Sequence, residues 1–166
     1  VIGGGDWAND RLIPDILRSF EKNKPVIIRN PKATRPWQHV LEPLSGYLIL
    51  AQKIYNNHKE YAEGWNFGPR EEDVKPVGWI LDKMISKWPD SSWELDQNSN
   101  PHEADFLKLD ISKAESKLGW KPVWELSHTI DKIIDWHKAW LDKEDMQAVC
   151  LAEIEEYTKD MSNKNY

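Results

Sequence analysis

Arg29-Asn30-Pro31-Lys32-Ala33-Thr34-Arg35-Pro36-Trp37-Gln38-His39-Val40-Leu41-Glu42-Pro43 is the stretch that organises this chain. Pro31 and Pro36 fix φ and remove backbone donors, so residues 30–36 form a loop. Just upstream, Pro25 to Arg29 is a β-branched run that predicts a short strand. Just downstream, Leu44, Tyr47, Leu48, Leu50, Ala51 and Ile54 recur at helical spacing, which predicts a helix from about Glu42-Pro43 to Asn56. The loop between them carries Arg35, and the strand ends on Arg29. A guanidinium is a planar fork that matches phosphate in a bidentate way. Four of the five arginines (Arg11, Arg18, Arg29 and Arg35) fall in the first 35 residues, whereas the lysines are spread evenly. Arg11 opens a helix, where backbone N–H groups and the dipole already favour an anion.

Working outward, Val1-Ile2-Gly3-Gly4-Gly5-Asp6 reads as the end of a strand running into a glycine turn. From this opening we expect a fragment of a longer protein. Asp10 is placed to cap a helix from Leu12 to Lys22, with Pro14 in its first turn. Trp65-Asn66-Phe67-Gly68-Pro69 predicts a strand entering a loop, and Val77 to Trp88 an amphipathic helix. Ser92–Leu95 and Phe106–Leu109 predict short strands. A short helix begins at Asp110 and ends at Gly119 as its C′ residue. Trp120 to Trp124 is extended, and Leu126 to Leu141 is helical. Residues 142–166 predict a charged, fraying terminal helix whose last six residues are disordered. The fold class is α/β, a mixed α+β lobe with strands too short to make a self-sufficient sheet.

Composition narrows the function. The 166 residues carry a formal net charge of −6, against a general nucleic-acid binder. No run approaches about 18 consecutive apolar residues, which excludes a spanning helix. Cys150 is the single cysteine, so there is no internal disulfide or multi-thiolate metal site, and a reducing, cytoplasmic setting is expected. Gly3-Gly4-Gly5 does not fit G-x-G-x-x-G, and no P-loop pattern occurs. His102-Glu103 begins like H-E-x-x-H, but residue 106 is Phe106. Tyr55 and Lys59 have the Tyr-x-x-x-Lys spacing of a proton-transfer pair, yet they stand at a polar helix end far from any glycine loop, and we read them as coincidence. The chain shows no complete catalytic set and no metal site. Trp79, Trp88, Trp136 and Trp140 read as core, while Trp7 and Trp37 border a cleft.

Gly4-Gly5-Asp6-Trp7-Ala8-x-Asp10-Arg11-Leu12-Ile13-Pro14-Asp15, together with the 29–43 stretch, resembles the nucleotide-sugar dehydratases of the extended short-chain dehydrogenase/reductase family. Gly46-Tyr47-Leu48, Trp65-Asn66-Phe67-Gly68-Pro69, Pro101-His102-Glu103-Ala104 and Leu118-Gly119-Trp120-x-Pro122 extend the resemblance to about Leu141. It implies the C-terminal, substrate-binding part of a Rossmann-fold enzyme, with the NAD-binding core and the catalytic Tyr-x-x-x-Lys upstream of Val1. The implied layout is residues 1–9 as the end of a Rossmann core strand and turn, 10–141 as the substrate lobe, and 142–166 as the tail.

The implied ligand is a CDP-hexose or similar nucleotide sugar. Asp10, Arg11, Leu12 and Ile13 would lie beside the nucleotide, Val26, Ile27 and Ile28 against base and ribose with Arg29 ending that strand, and Arg35 would grip the diphosphate with Arg11 as a second cation. Asn66 and His102 would share the cleft. Relatives acting on dTDP-sugars have Arg-Pro-Gly-His-Asp where this chain has Asn100-Pro101-His102-Glu103-Ala104, so one diphosphate arginine is missing. The implied whole is an NAD-dependent lyase, a homo-oligomer without nucleic-acid or membrane partners, that supplies deoxysugars for O-antigen. The present chain alone would be inactive and bind no cofactor. Rival readings are another nucleotide-sugar epimerase or dehydratase, and a non-enzymatic sugar-nucleotide-binding module.

Overall fold

Apolar side chains three and four apart put Ile13, Ile16, Leu17 and Phe20 on one face of helix α1 (Leu12–Glu21). The structure, a computed structural model, describes residues 1–56, 59–98 and 106–164. After α1 come strand β1 (Val26–Ile28), helix α2 (Leu41–Tyr55), helix α3 (Val77–Ile85), strand β2 (Trp93–Leu95), a π-helical turn (Ala114–Leu118), and helices α4 (Leu126–Leu141) and α5 (Met146–Asn163). β1 and β2 pair in parallel, with Val26 opposite Trp93 and Ile28 opposite Leu95. Val26 and Ile28 face the main core, which they share with α1, with Ile80, Leu81 and Met84 of α3, and with Ile130, Ile133 and Ile134 of α4.

Two smaller clusters complete the packing. Phe67, Ala114, Leu118 and Trp120 gather beneath α2, and Val123, Trp124 and Tyr157 join α5 to the body. The seam between these clusters is polar. Glu42 is fully buried; its carboxylate accepts from Val123 N (2.9 Å), Trp124 N (2.7 Å) and the Tyr157 hydroxyl (2.8 Å). Tyr157 also meets Ser45 Oγ at 3.1 Å, and Trp120 Nε1 donates to the same hydroxyl. At the edge of this seam, His39 Nε2 lies 2.8 Å from Glu153. Burial pushes the Glu42 carboxyl above its usual range, against the lowering pull of its three donors and of His39.

Several sequence expectations are corrected. Asp10 does not cap α1: it sits at φ 58°, the N-cap is Arg11, and no side chain bonds the first turn. Trp65–Phe67 is not a strand, because Phe67 O accepts from the Gln38 side chain (2.6 Å) instead of from a neighbouring strand. Phe106–Leu109 reduces to a single bridge from Phe106 to Thr34. The helix foreseen to Trp88 ends at Ile85.

The apolar stripe of α2 is turned outward. Glu42, Pro43, Ser45 and Gly46 face inward, while Leu44, Tyr47, Leu48 and Ile54 are exposed. Gly46 explains the orientation: a Cβ there would run into the Phe67 ring, so the small side of the helix is the side that can approach. The tail, in turn, is no fraying appendage. α5 is helical through Asn163, capped by Asp145, and Tyr157 is only 4% exposed. Lys164 Nζ reaches back to Val123 O, so the disorder expected from residue 161 does not hold for 161–164. Gly119, at φ 73°, does end its turn in the left-handed conformation foreseen for it.

Candidate functional site

The strand–loop–helix stretch builds a cleft of about 240 Å³ lined by β1, the 29–37 loop, the start of α1 and Val77. Strand β1, with Ile27 exposed between the core-facing Val26 and Ile28, lines one part of it, and Arg29, Asn30, Ala33, Arg35 and Trp37 line the rest. The loop is held in shape by local bonds. Asn30 Oδ1 accepts from Lys32 N and Ala33 N at 3.1 Å each, closing a tight turn. Pro31 O and Ala33 O accept from Gly78 N (2.8 Å) and Val77 N (3.0 Å). These are two of the first N–H groups of α3, whose own N-cap, Pro76, has no capping side chain. Thr34 bridges Pro76 on one side and Phe106 on the other, and Arg35 Nη1 donates to Thr34 O.

The charge lining the cleft is mixed. Asp10 and Asp15 line it along with Arg29 and Arg35. Asp15 is engaged by Arg18, which also donates to Trp7 O and Ala8 O. The arrangement of an apolar strand, an indole edge and two guanidinium groups suits a ligand with a flat ring at one end and an anionic group at the other.

The structure brings Leu12, Val26, Ile28, Arg29 and Arg35 together around this cleft. Ile13 is directed away from it, 3% exposed within the main core, because its position on α1 belongs to the inner face. Arg11 is not among the lining residues; its side chain is exposed and lies 3.4 Å from Asp6. Asn66 is exposed at a different place and donates to Asp110 O at 3.2 Å. His102 lies outside the described residues. Sequence reading left Asp15, Asn30 and Val77 out of the site. Of these, only Asn30, an asparagine before proline in the same loop, carried a local signal.

Other candidates resolve into packing. Tyr55 ends α2 and Lys59 begins a separate 3₁₀ turn, so the pair does not share a helix. The glycine run lies under an indole: a Cβ on Gly4 would fall closer than 3.0 Å to the Trp136 ring. No cradle for a pyrophosphate is formed there, and these residues do not fit a dinucleotide. Among the described residues one group could bring three metal-ligating atoms within 4.8 Å of one another: His128, Glu156 and Asp160. Lys132 already pairs with Glu156, and Trp124 Nε1 donates to Asp160, so the group fastens α5 to α4. No helix among the described residues is long and apolar enough to cross a membrane.

Over 158 residues the chain is 60% identical to CDP-glucose 4,6-dehydratase of Salmonella typhimurium strain LT2, a match covering 95% of this chain. The chain is a close relative of CDP-glucose 4,6-dehydratase. It spans 44% of that relative's length. No protein-family model matches. Among solved structures, a tyrosine-to-phenylalanine variant of UDP-glucuronic acid 4-epimerase from Bacillus cereus, in complex with a fluorinated UDP-sugar and NAD, aligns with a TM-score of 0.68 at 20% identity. That match covers 83% of this chain and 43% of the epimerase. UDP-N-acetylglucosamine 4-epimerase from Bacillus cereus aligns at 0.56 and 15% identity, covering 82% and 45%. The fold is therefore that of part of these 4-epimerases.

Proposed function

We propose that the chain is the part of a CDP-glucose 4,6-dehydratase that binds the nucleotide sugar, with residues 10–141 as the substrate lobe and 142–166 as a helix latched onto it. The observation that carries this reading is the cleft: Arg29 and Arg35 line it together with strand β1 and Trp37. The close relationship to CDP-glucose 4,6-dehydratase supports it and does not favour a module that never belonged to an enzyme. In this reading Arg35 and Arg29 hold the diphosphate of CDP-glucose, while the β1 edge, Leu12 and Trp37 border the base and ribose. Residues 1–9 end a strand of the cofactor domain, in keeping with the parallel bridge from Ile2 to His39.

The whole enzyme converts CDP-glucose to CDP-4-keto-6-deoxyglucose in the cytoplasm, with NAD as hydride carrier bound by residues outside this chain. The chain's own work is to anchor the remote nucleotide so that its binding energy orients the hexose. Isothermal calorimetry with CDP-glucose, UDP-glucose and dTDP-glucose tests the proposal. CDP-glucose is expected to bind the most tightly, and Arg35→Ala to weaken it about 10- to 100-fold, the loss of one charge-assisted hydrogen bond of about 1.5–3 kcal/mol. Equal affinity for all three sugars would reject the base assignment. An unchanged affinity in Arg35→Ala would reject the cleft.

A further inference from the structure

The junction of α4 and α5 holds more donor atoms than its packing uses. His128 stands in the first turn of α4, and Glu156 and Asp160 lie one turn apart on one face of α5. One ligand atom of each lies within 4.8 Å of the other two, and His128 Nε2 is 3.4 Å from Glu156 Oε1. Donors bonded at about 2.0–2.1 Å to a tetrahedral ion stand about 3.3–3.4 Å from one another. The histidine–glutamate pair already has that spacing, and closing the triangle on Asp160 takes at most about 1.5 Å of side-chain movement.

A second observation singles out the histidine. Its Nε2 is shielded from solvent yet makes no hydrogen bond, although the ring as a whole is partly exposed. Shielded polar atoms are normally paired, and an imidazole nitrogen without a partner has a lone pair to offer. The ring is held edge-on to the Trp124 indole, with centroids 4.8 Å apart. Neighbouring donors orient the carboxylates as well. Trp124 Nε1 donates to Asp160 Oδ2 at 2.9 Å, and Lys132 takes Glu156 Oε2, which leaves Oε1 toward the histidine. A carboxylate oxygen carries two lone pairs, so the indole bond does not close Asp160 to a metal. Outer partners of this kind are the usual support of ligating side chains.

We propose that His128, Glu156 and Asp160 bind a divalent transition metal of the zinc class, with water completing the coordination, and that the ion clamps α5 onto α4. One nitrogen and two oxygen donors suit zinc, whereas calcium and magnesium take oxygen ligands. None of the three residues lines the nucleotide cleft, so the site stands or falls separately from the reading of that cleft.

Calorimetric titration of the full 166-residue chain with zinc chloride tests the proposal. One ion per chain is expected to bind, and His128→Gln and Asp160→Asn should each weaken it at least about tenfold. Asp160→Asn keeps an acceptor for Trp124, so the packing contact survives the change. A large excess of magnesium or calcium should not displace the zinc. NMR spectra of the imidazole nitrogens in the unsubstituted chain should show the His128 ring shifting as zinc is added, a readout that needs no variant. The proposal is overturned by the absence of saturable binding, by unchanged affinity in either variant, or by His128 signals that stay in place while another histidine or Cys150 takes the ion. Displacement by calcium or magnesium overturns the assignment to the zinc class.

Discussion

Replacing Glu42 by Gln probes the seam that fastens α5. The carboxylate accepts Trp124 N on one oxygen and both Val123 N and the Tyr157 hydroxyl on the other. A glutamine amide keeps one acceptor, so in either orientation its NH₂ meets at least one backbone N–H donor. A lost hydrogen bond to a charged group is worth about 1.5–3 kcal/mol, and the orphaned donor adds a desolvation cost of similar size. We expect a loss of about 3 kcal/mol, read as a Tm drop of roughly 6–12 °C for a chain of this length.

The pH dependence has a definite sign. Burial raises the Glu42 carboxyl above its usual 4.5, so the folded state binds the proton more tightly than the unfolded state. Its contribution is fully present below the unfolded value and is lost as pH rises through the higher folded one. Glutamine does not titrate, so the gap between wild type and Glu42→Gln should narrow as pH rises from 4.5. Tryptophan-fluorescence melts between pH 4.5 and 8 measure this, since Trp120 and Trp124 adjoin the seam. A gap below about 0.5 kcal/mol, or one that widens with pH, would refute the reasoning.

Further expectations follow from single contacts. Tyr157→Phe keeps the ring among Val123 and Trp124 but removes the hydroxyl from Glu42 and Ser45; urea titration should show a loss of about 1–2 kcal/mol. Gly4→Ala drives a methyl group into the Trp136 ring, and the same titration should show a loss of about 1–3 kcal/mol. Arg18→Ala leaves Asp15 without its partner guanidinium beside the cleft; calorimetry should find CDP-glucose binding weaker and less salt-sensitive, with Arg29 and Arg35 intact. Asp73 accepts from Leu126 N at the start of α4, so Asp73→Ala should cost about 1 kcal/mol of stability, a missing cap supplied from a distant turn.

What the sequence made legible follows from where its periodicity met a single environment. α4 runs from Leu126 to Leu141 as expected, because one apolar face packs on one core. β1 and the Arg35 loop were readable from prolines and β-branching, which act locally. α2 was found, but its orientation was not: spacing reveals a stripe and says nothing of which body covers it, and the Gly46–Phe67 approach that settles the matter joins residues far apart in sequence. α5 looked like a solvated tail because its docking rests on one buried tyrosine among charges. The cleft was legible where cations and strand residues adjoin in sequence. Val77 enters it only through the docking of α3.

The capping of α3 by Pro31 O and Ala33 O gives the arginine loop a second duty. Its carbonyls finish a helix whose own sequence, beginning Pro76-Val77-Gly78, provides no terminator. Warming that frays the first turn of α3 therefore releases the backbone on either side of Lys32 in the same event, and Arg35 loses its footing while the apolar core still stands. Ligand affinity in this lobe would then decline at temperatures where the fold itself is intact, and the two curves would separate by however far that one helical turn melts early.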